Sequence, residues 1–233
     1  MPTASFEIRI CNSCGLRYPL VEGHPFGVRC PACMGETRSA LRVRRQPLPE
    51  PRSSPSPSKS DRILESARRK GRLAATLLDN IRSAWNVGSI LRSADGFGFT
   101  HAYLCGITPT ADHEAVTKTS LGAQDSVSWS YHKNAVTLAK GLKKEGWQVY
   151  ALEEDVRSIP VSSFPSFQFL QRAVLIVGNE VTGVDPDLLD LCDQIFYIPM
   201  LGEKKSFNVA IAFSVAAYAL GVQVLNRDGD SPG

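Results

Sequence analysis

Four of the six cysteines stand in two tight pairs, Cys11 with Cys14 and Cys30 with Cys33. Two residues separate the members of each pair and fifteen separate the pairs, a spacing typical of four thiolates around one zinc ion. A closed four-thiolate set leaves no open position for catalysis, so we expect a structural zinc that stabilises a small module. Two disulfides or free thiols are the alternatives, and His24, between the pairs, is expected to be a surface residue.

The rest of the chain lacks the short motifs that bind nucleotides or carry a hydrolytic nucleophile. Polar residues instead gather at three points where a strand should end or a helix should begin: Asn86 with Arg92, Asn179 with Glu180, and Ser206 with Asn208. Each has a structural explanation, since Asn and Ser are good helix caps and turn residues. Together they favour a binding site, because open parallel sheets bind ligands at the carboxyl ends of their strands.

Short apolar runs that alternate with helical stretches must position these residues. Runs such as AVLIV are apolar throughout, which is typical of strands buried on both faces. Six strands are predicted, at Ala74–Leu78, His101–Cys105, Val127–Trp129, Gln148–Leu152, Ala173–Val177 and Gln194–Ile198. Four helices are predicted, near Gly88–Phe97, Ala135–Glu145, Asp185–Leu191 and Asn208–Leu225. Alternation of this kind predicts an α/β domain with a parallel sheet.

The 233 residues divide by composition into three regions. Residues 1–45 should form the zinc-ribbon-like module, residues 46–60 a linker with five prolines and five serines, and residues 61–233 the α/β domain. The net charge of +3 is unevenly distributed, with +8 in residues 1–72 and −5 in the remainder. A basic metal module with a second basic cluster at Arg68–Arg72 favours nucleic-acid binding, although a solvated charged surface has the same composition.

The start of the chain has no basic stretch followed by an apolar run, so no secretory signal is predicted. The most apolar segment, Val209–Leu225, has 17 residues with polar interruptions, fewer than the roughly 20 apolar residues of a membrane span. It is therefore expected to be a buried helix. Paired cysteines without an export signal favour metal over disulfides, and we expect a cytoplasmic protein with no membrane contact.

Three segments resemble the motifs of SpoU-type (TrmH-like) RNA 2′-O-ribose methyltransferases of the SPOUT superfamily. They are Asn80–Gly98 (NIRSAWNVGSILRSADGFG), Leu175–Val184 (LIVGNEVTGV), and Ile198–Ala210, which begins IPMLG and ends SFNVA. They follow the family's order and spacing, and with the intervening strands they span about residues 73–226. The resemblance implies a parallel sheet with a C-terminal deep trefoil knot, and a homodimer. It also implies S-adenosylmethionine as cofactor and a tRNA or rRNA substrate.

The resemblance also implies roles for single residues. The catalytic and ribose-phosphate-binding positions are Asn86, Arg92, Glu180, Ser206 and Asn208. The positions expected to contact the cofactor, largely through backbone groups, are Val177, Gly178, Asn179, Ile198, Met200, Ser206 and Phe207. The family usually has leucine at position 207, so Phe207 should alter packing near the cofactor without removing a functional group.

Arg92 has two roles open to it. The family proposal makes it the base that acts on the 2′-hydroxyl with help from a substrate phosphate. Because a guanidinium group holds its proton tightly, the other role is to clamp phosphate and raise the nucleophilicity of the 2′-oxygen. Loss of zinc is expected to weaken RNA binding and to leave cofactor binding intact. The alternative function is a zinc-containing RNA- or ribosome-binding protein that has lost catalysis.

Overall fold

The computed structural model describes residues 5–21, 27–44, 73–163, 172–204 and 206–221, which form two β-sheets. The linker predicted at residues 46–60 and the Arg68–Arg72 cluster lie outside the described residues. The proposed domain limits at 45/46 and 60/61 therefore stay predictions. The described residues divide between a small N-terminal sheet and a large sheet that begins at residue 73.

The first sheet is antiparallel and contains β1 (Ser5–Cys11), β2 (Arg17–Val21) and β3 (Thr37–Arg44), with β1 in the centre. Its hydrophobic core is small and consists of Cys11, Leu16, Tyr18 and Cys30, with Cys14 and Leu20 beside them. A core of this size is too small to stabilise a fold alone, so the four cysteines must contribute to the stability of the module.

The second sheet has seven strands: β4 (Leu73–Asp79), β5 (His101–Cys105), β6 (Ser128–His132), β7 (Gln148–Leu152), β8 (Ile159–Pro160), β9 (Arg172–Gly178) and β10 (Gln194–Tyr197). Every neighbouring pair is parallel, in the order β6-β5-β4-β9-β7-β10-β8. The predicted parallel α/β fold is confirmed, and the trefoil knot stays a prediction. From β4 the chain first builds outward through β5 and β6 and then crosses to the other side. The direction of building thus reverses between β4 and β9, where such sheets bind ligands.

Among the described residues, six α-helices flank this sheet: α1 (Ala84–Gly96), α2 (Glu114–Ser120), α3 (Ala123–Ser126), α4 (Ala135–Lys144), α5 (Pro186–Leu189) and α6 (Val209–Gly221). One face is covered by α1 and α6, whose Ile90 and Phe213 belong to the same core cluster. The other face is covered by α4 and α5, through residues such as Leu142 and Leu188. The apolar strands are thus buried on both faces, as predicted.

Helix α1 begins at Ala84, four residues earlier than predicted, because the Ser83 side chain caps it by accepting the Asn86 N–H. Helices α2 and α3 and strand β8 were not predicted, since segments this short carry little periodic signal. Helix α2 packs closely on α1 at Gly88, where a Cβ would lie 1.9 Å from Thr119 Oγ1. Helix α1 is thereby fixed against its neighbours, which matters because it carries Asn86 and Arg92.

Helix α6 differs from the fully buried helix that its composition predicts. Phe213, Ala216, Ala217 and Leu220 are buried against the sheet. A stripe on another side of the helix, Ile211, Val215 and Tyr218, is exposed. Within the described ranges, no helix has both the length and the apolar character that crossing a bilayer requires.

Candidate active site and cysteine centre

The candidate site lies at the carboxyl ends of β4 and β9. These strands pair in parallel from Leu73↔Arg172 to Asp79↔Gly178, so both end at the same level. The first motif segment leaves β4 there and the second leaves β9. Residues about 100 positions apart in the chain are thus brought together by strand pairing alone.

Glu180 links the two segments. Its carboxylate accepts hydrogen bonds from the backbone N–H of Arg82 at 2.9 Å, the N–H of Ser83 at 3.1 Å and the Nδ2 of Asn86 at 2.8 Å. Burial opposes ionisation of Glu180, but the donated hydrogen bonds outweigh it and lower the pKa of the carboxyl. The carboxylate also lies beside the positive end of α1, which favours the charged form further.

Asn86 connects Glu180 to the third motif segment. Its Oδ1 accepts a hydrogen bond from Nδ2 of Asn208 at 3.0 Å, while its own Nδ2 donates to Glu180. Asn208 in turn caps α6, since its Oδ1 accepts the N–H of Ala210 at 2.9 Å. Asn208 is therefore a helix cap and a site residue at once, whereas the cap of α1 is Ser83 and not Asn86. The chain Glu180–Asn86–Asn208 joins all three segments.

Arg92 and Ser206 lie outside this chain of hydrogen bonds. Both are exposed, and no hydrogen bond among the described residues joins either to Glu180, Asn86 or Asn208. Arg92 lies on α1 about 9 Å along the axis from Asn86. The structure therefore joins three of the five predicted catalytic residues by hydrogen bonds and does not join the other two to them.

The predicted cofactor positions on β9 and its turn have separate surroundings. Val177 and Gly178 are buried at the end of β9, and a Cβ on Gly178 would lie 2.2 Å from the backbone nitrogen of Val184. Asn179 closes the turn: its Nδ2 donates to the carbonyl of Asn80, and its Oδ1 accepts the N–H of Val181 and Thr182. Its side chain serves the loop, so any cofactor contact of this segment must come from the backbone.

The other predicted cofactor positions follow β10. Ile198 and Met200 are half-buried and Phe207 is exposed. One strand, β7, separates β9 from β10, so the two backbone segments lie about 10 Å apart at the same edge of the sheet. That separation is on the scale of a nucleoside, and Leu201 and Phe207, further along the second segment, expose apolar side chains. The spacing of the two segments is therefore compatible with a cofactor that has an adenosine group.

The four paired cysteines converge. Their Sγ atoms all lie within 4.8 Å of one another, with 3.5 Å between Cys11 and Cys33 and 3.7 Å between Cys14 and Cys30. A disulfide needs about 2 Å, whereas four sulfurs around one zinc at about 2.3 Å stand nearly 4 Å apart. The geometry fits a tetrahedral zinc site and does not fit two disulfides.

Four charged residues that the sequence did not single out form a cluster of ion pairs and hydrogen bonds below the site. Arg17 of β2 is buried and binds Asp185 through Nε at 2.5 Å and Nη2 at 2.8 Å, and Asp187 through Nη2 at 2.9 Å. Asp79, also buried, accepts the backbone N–H of Asp185 at 2.9 Å. An aspartate at the end of an otherwise apolar strand was the one available signal in the sequence.

The pKa of the Asp79 carboxyl is unusually high. Burial, together with the charge of neighbouring Asp185, raises its pKa to about 7. Hydrogen bonds from the Asp185 N–H and the Asn80 side chain, and the charge of Arg17, oppose this rise without cancelling it. Asp79 is therefore partly protonated near neutral pH, directly below the first motif segment.

Comparison with known proteins identifies the family to which the large domain is similar. The model of the SpoU rRNA Methylase family matches residues 74–218. A tRNA (guanosine(18)-2′-O)-methyltransferase of Thermus thermophilus is 31% identical over 159 residues, which cover 67% of this chain and 78% of the relative. The 23S rRNA (guanosine(2553)-2′-O)-methyltransferase RlmP of Bacillus subtilis is 31% identical over 146 residues, covering 62% of this chain and 56% of the relative.

A solved structure has the same fold. The SpoU methyltransferase AviRb from Streptomyces viridochromogenes, in complex with the cofactor AdoMet, superposes with a TM-score of 0.60. The match covers 83% of this chain and 70% of AviRb at 22% sequence identity. At that identity the likeness concerns the architecture alone.

The raised pKa of Asp79 predicts a pH dependence of stability. Between about pH 4 and pH 7 the folded protein holds a proton that the unfolded chain has released, so ionisation of Asp79 costs stability as pH rises. Asp79→Asn cannot ionise, so the unfolding free energy of the variant relative to wild type should rise by roughly 2–3 kcal/mol from pH 5 to pH 8. The hydrogen bond that one amide NH2 group cannot accept adds an offset that does not change with pH. Denaturant unfolding of both proteins across this range measures the difference, and parallel curves would contradict the assignment.

Proposed function

This chain belongs to the SpoU rRNA Methylase family, and we propose that it is an S-adenosylmethionine-dependent methyltransferase acting on a ribose 2′-hydroxyl of structured RNA, transfer or ribosomal. The observation that carries the proposal is the hydrogen-bonded chain Glu180–Asn86–Asn208. It joins the three motif segments at the edge of the sheet where ligands bind in such folds.

S-adenosylmethionine, when bound, supplies a methyl group activated by a sulfonium sulfur. The residues that would hold it lie at the end of β9 and after β10, mainly through backbone groups of Val177, Gly178, Ile198 and Met200. Phe207 would pack against its apolar part, and Ser206 and Asn179 would border it. Support comes from the spacing of these segments and the exposed apolar side chains beside them.

The polar residues would orient the 2′-oxygen. Asn86 is held in one orientation because it donates to Glu180 and accepts from Asn208, and fixed groups lower the cost of aligning a reactant. Ser206 and Arg92, both exposed, remain accessible to RNA. A guanidinium binds phosphate through two parallel hydrogen bonds, so Arg92 would clamp a backbone phosphate and favour negative charge on the nearby 2′-oxygen.

The test of this function replaces Arg92. Arg92→Ala should lower methyl transfer to tRNA or rRNA at saturating RNA by about 10²-fold, because it removes a group that stabilises developing charge. Arg92→Lys keeps the charge without the planar fork and should recover part of the rate. The exposed Arg172, at the opposite end of β9, provides the control Arg172→Ala. Labelled methyl incorporation, with nuclease-resistant dinucleotides as the sign of 2′-O-methylation, gives the rate.

Two results would count against the proposal. Turnover of Arg92→Ala close to wild type would remove Arg92 from the reaction. No binding of S-adenosylmethionine by the wild-type protein in calorimetry would remove the enzymatic function. That result would leave a zinc-containing RNA- or ribosome-binding protein without catalysis.

The N-terminal module is proposed to hold a structural zinc and to bind RNA. The convergence of four sulfurs supports the zinc, and the exposed arginines Arg29, Arg38 and Arg42 support contact with phosphates. Proposed limits for the module and linker are residues 1–45 and 46–60. The cytoplasmic location stays a prediction from the sequence.

Replacing Cys11 and Cys14 together by Ser tests the module. We expect the zinc content to fall from one ion per chain to none, and RNA affinity at fixed salt to fall by about 10-fold. Elemental analysis and a filter-binding titration measure the two effects. Cys192→Ser, a half-buried cysteine outside the cluster, is the matched control. Zinc retained in the double variant would overturn the metal site, and unchanged RNA affinity would overturn the RNA-binding role.

The proposed homodimer would use the exposed stripe of α6. Ile211, Val215 and Tyr218 follow one another at spacings of four and three residues, so they lie on one side of the helix. Trp85, in the first turn of the adjacent α1, is 61% exposed. Several large apolar side chains on two packed helices are typical of a surface that another protein covers.

A dimer on this surface predicts a change of mass on substitution. Wild type should have about twice the chain mass of 25.4 kDa in light scattering, and Ile211→Glu with Tyr218→Glu should approach the monomer mass, because buried charges oppose association. Val156→Glu is the control. It introduces a negative charge at an exposed apolar residue outside α1 and α6, so the mass should stay unchanged. A monomeric wild type, or a dimer that survives both charges, would contradict the proposal.

A further inference from the structure

The cysteine module is joined to the large domain by a buried ion pair. Arg17 begins β2, three residues after Cys14, and its side chain is only 5% exposed. It binds both carboxylate oxygens of Asp185, whose side chain is 2% exposed, and one oxygen of Asp187. Burial alone would lower the pKa of Arg17, but Asp185 and Asp187 raise it, so the guanidinium stays charged.

Asp185 closes the loop that carries Glu180. At one end of this loop, Asn179 donates through Nδ2 to the carbonyl of Asn80 at 2.7 Å. At the other end, Asp185 donates its N–H to Asp79, caps α5, and receives Arg17. The loop is thus fastened at both ends, and one of the fastenings comes from the N-terminal module.

A second contact lies between the module and the loops that follow β5 and β6. Gly106, just after β5, has room for no side chain, since a Cβ there would lie 2.1 Å from Asn80 Oδ1 and 2.8 Å from the carbonyl oxygen of Arg17. Ile107 packs against the small core of the module, and the N–H of Arg17 donates to the carbonyl of Lys133 at 3.1 Å. The module is therefore packed against the end of the sheet that carries the candidate site.

We propose that Arg17 is a positioning residue for the methyltransferase site: by clamping Asp185, it holds the loop 178–185 in the geometry that presents the Gly178 backbone and Glu180. This inference rests on the proposed function for its effect on cofactor binding and catalysis. If the module were freely tethered, its loss would leave cofactor binding intact. With Arg17 as a positioning residue, we expect the opposite: loss of the module weakens cofactor binding. Here the module contributes to the cofactor site itself.

The experiment uses the full chain and two variants. Arg17→Met removes the clamp and keeps most of the side-chain bulk. Because it leaves Asp185 buried without a partner, it is paired with Arg17→Met/Asp185→Asn, which removes both charges and keeps an oxygen for the cap of α5. Arg172→Met is the control, since Arg172 is exposed at the opposite end of β9 and donates to the carbonyl of Glu145 at 3.2 Å.

Amide hydrogen exchange reports on the loop directly, whatever the protein catalyses. The amides of Val181, Thr182, Gly183, Val184 and Asp185 are all hydrogen-bonded. In both Arg17 variants they should exchange at least about 10-fold faster, while the strands β5 and β6 stay as protected as in wild type. Arg172→Met should leave the loop unchanged.

Cofactor affinity distinguishes a positioning role of Arg17 at the cofactor site from a role that is limited to docking the module. In the Arg17/Asp185 double variant, S-adenosylmethionine should bind about 10-fold more weakly, with zinc content and RNA affinity close to wild type. The rate at saturating RNA and cofactor should fall as well. A residue that only docks the module for RNA binding would change RNA affinity and leave the cofactor affinity alone.

Each outcome decides the proposal. Wild-type exchange in the loop and wild-type cofactor affinity in the double variant, with zinc retained, would overturn it. If Arg17→Met fails to fold, the double variant still decides. If wild type binds no S-adenosylmethionine, the proposed function fails, while faster loop exchange in the variants would still show that Arg17 holds the loop.

Discussion

The parallel pairing of β4 with β9 is the constraint on which the site depends. Asp79 and Gly178 are partners in register, so the segments after both strands start from neighbouring points. A shift of one residue would invert the faces of β9 and separate Glu180 from the amides of Arg82 and Ser83. The core fixes this register, because Leu77, Leu78, Leu175 and Ile176 are fully buried on alternate faces.

With this register fixed, the polar groups of the three motif segments form a continuous chain of hydrogen bonds. Glu180 takes amide hydrogens at the start of α1, Asn86 bridges to Asn208, and Asn208 caps α6. Every member has a structural partner, which is why helix-capping explanations from sequence were reasonable for single residues. Arg92 and Ser206 stand apart and exposed. The difference between the two groups lies in their hydrogen bonds and not in exposure, since Glu180 and Asn208 are exposed as well, and residue type alone does not predict it.

The sequence predicted the parallel sheet, six of its seven strands and the convergence of the cysteines, because apolar periodicity and ligand spacing are local signals. Through the resemblance of three segments it predicted a cluster of Asn86, Arg92, Glu180, Ser206 and Asn208, of which the structure joins Asn86, Glu180 and Asn208 by hydrogen bonds. It did not predict the docking of the module, because Arg17 and Asp185 are 168 residues apart and each is an ordinary charged residue in its own surroundings. It also gave α6 a fully buried environment, since composition does not say which side of an apolar helix lacks a neighbour.

The docking of the module also changes how the uneven distribution of net charge along the chain is interpreted. Arg9 and Arg17 count toward the positive charge of the N-terminal region, yet both are buried, Arg9 against Glu7 and Thr37 and Arg17 against Asp185. Guanidinium groups already paired in the interior do not neutralise RNA phosphates. On the proposed function, RNA binding by the module therefore depends on its exposed arginines, Arg29, Arg38 and Arg42. Since Ile107 and Lys133 place the module at the carboxyl edge of the sheet, a fixed distance separates those arginines from Arg92. On the proposed function, the enzyme then selects an RNA whose backbone spans that distance. A module docked rigidly on the sheet cannot move to reach the backbone of an RNA with a different shape.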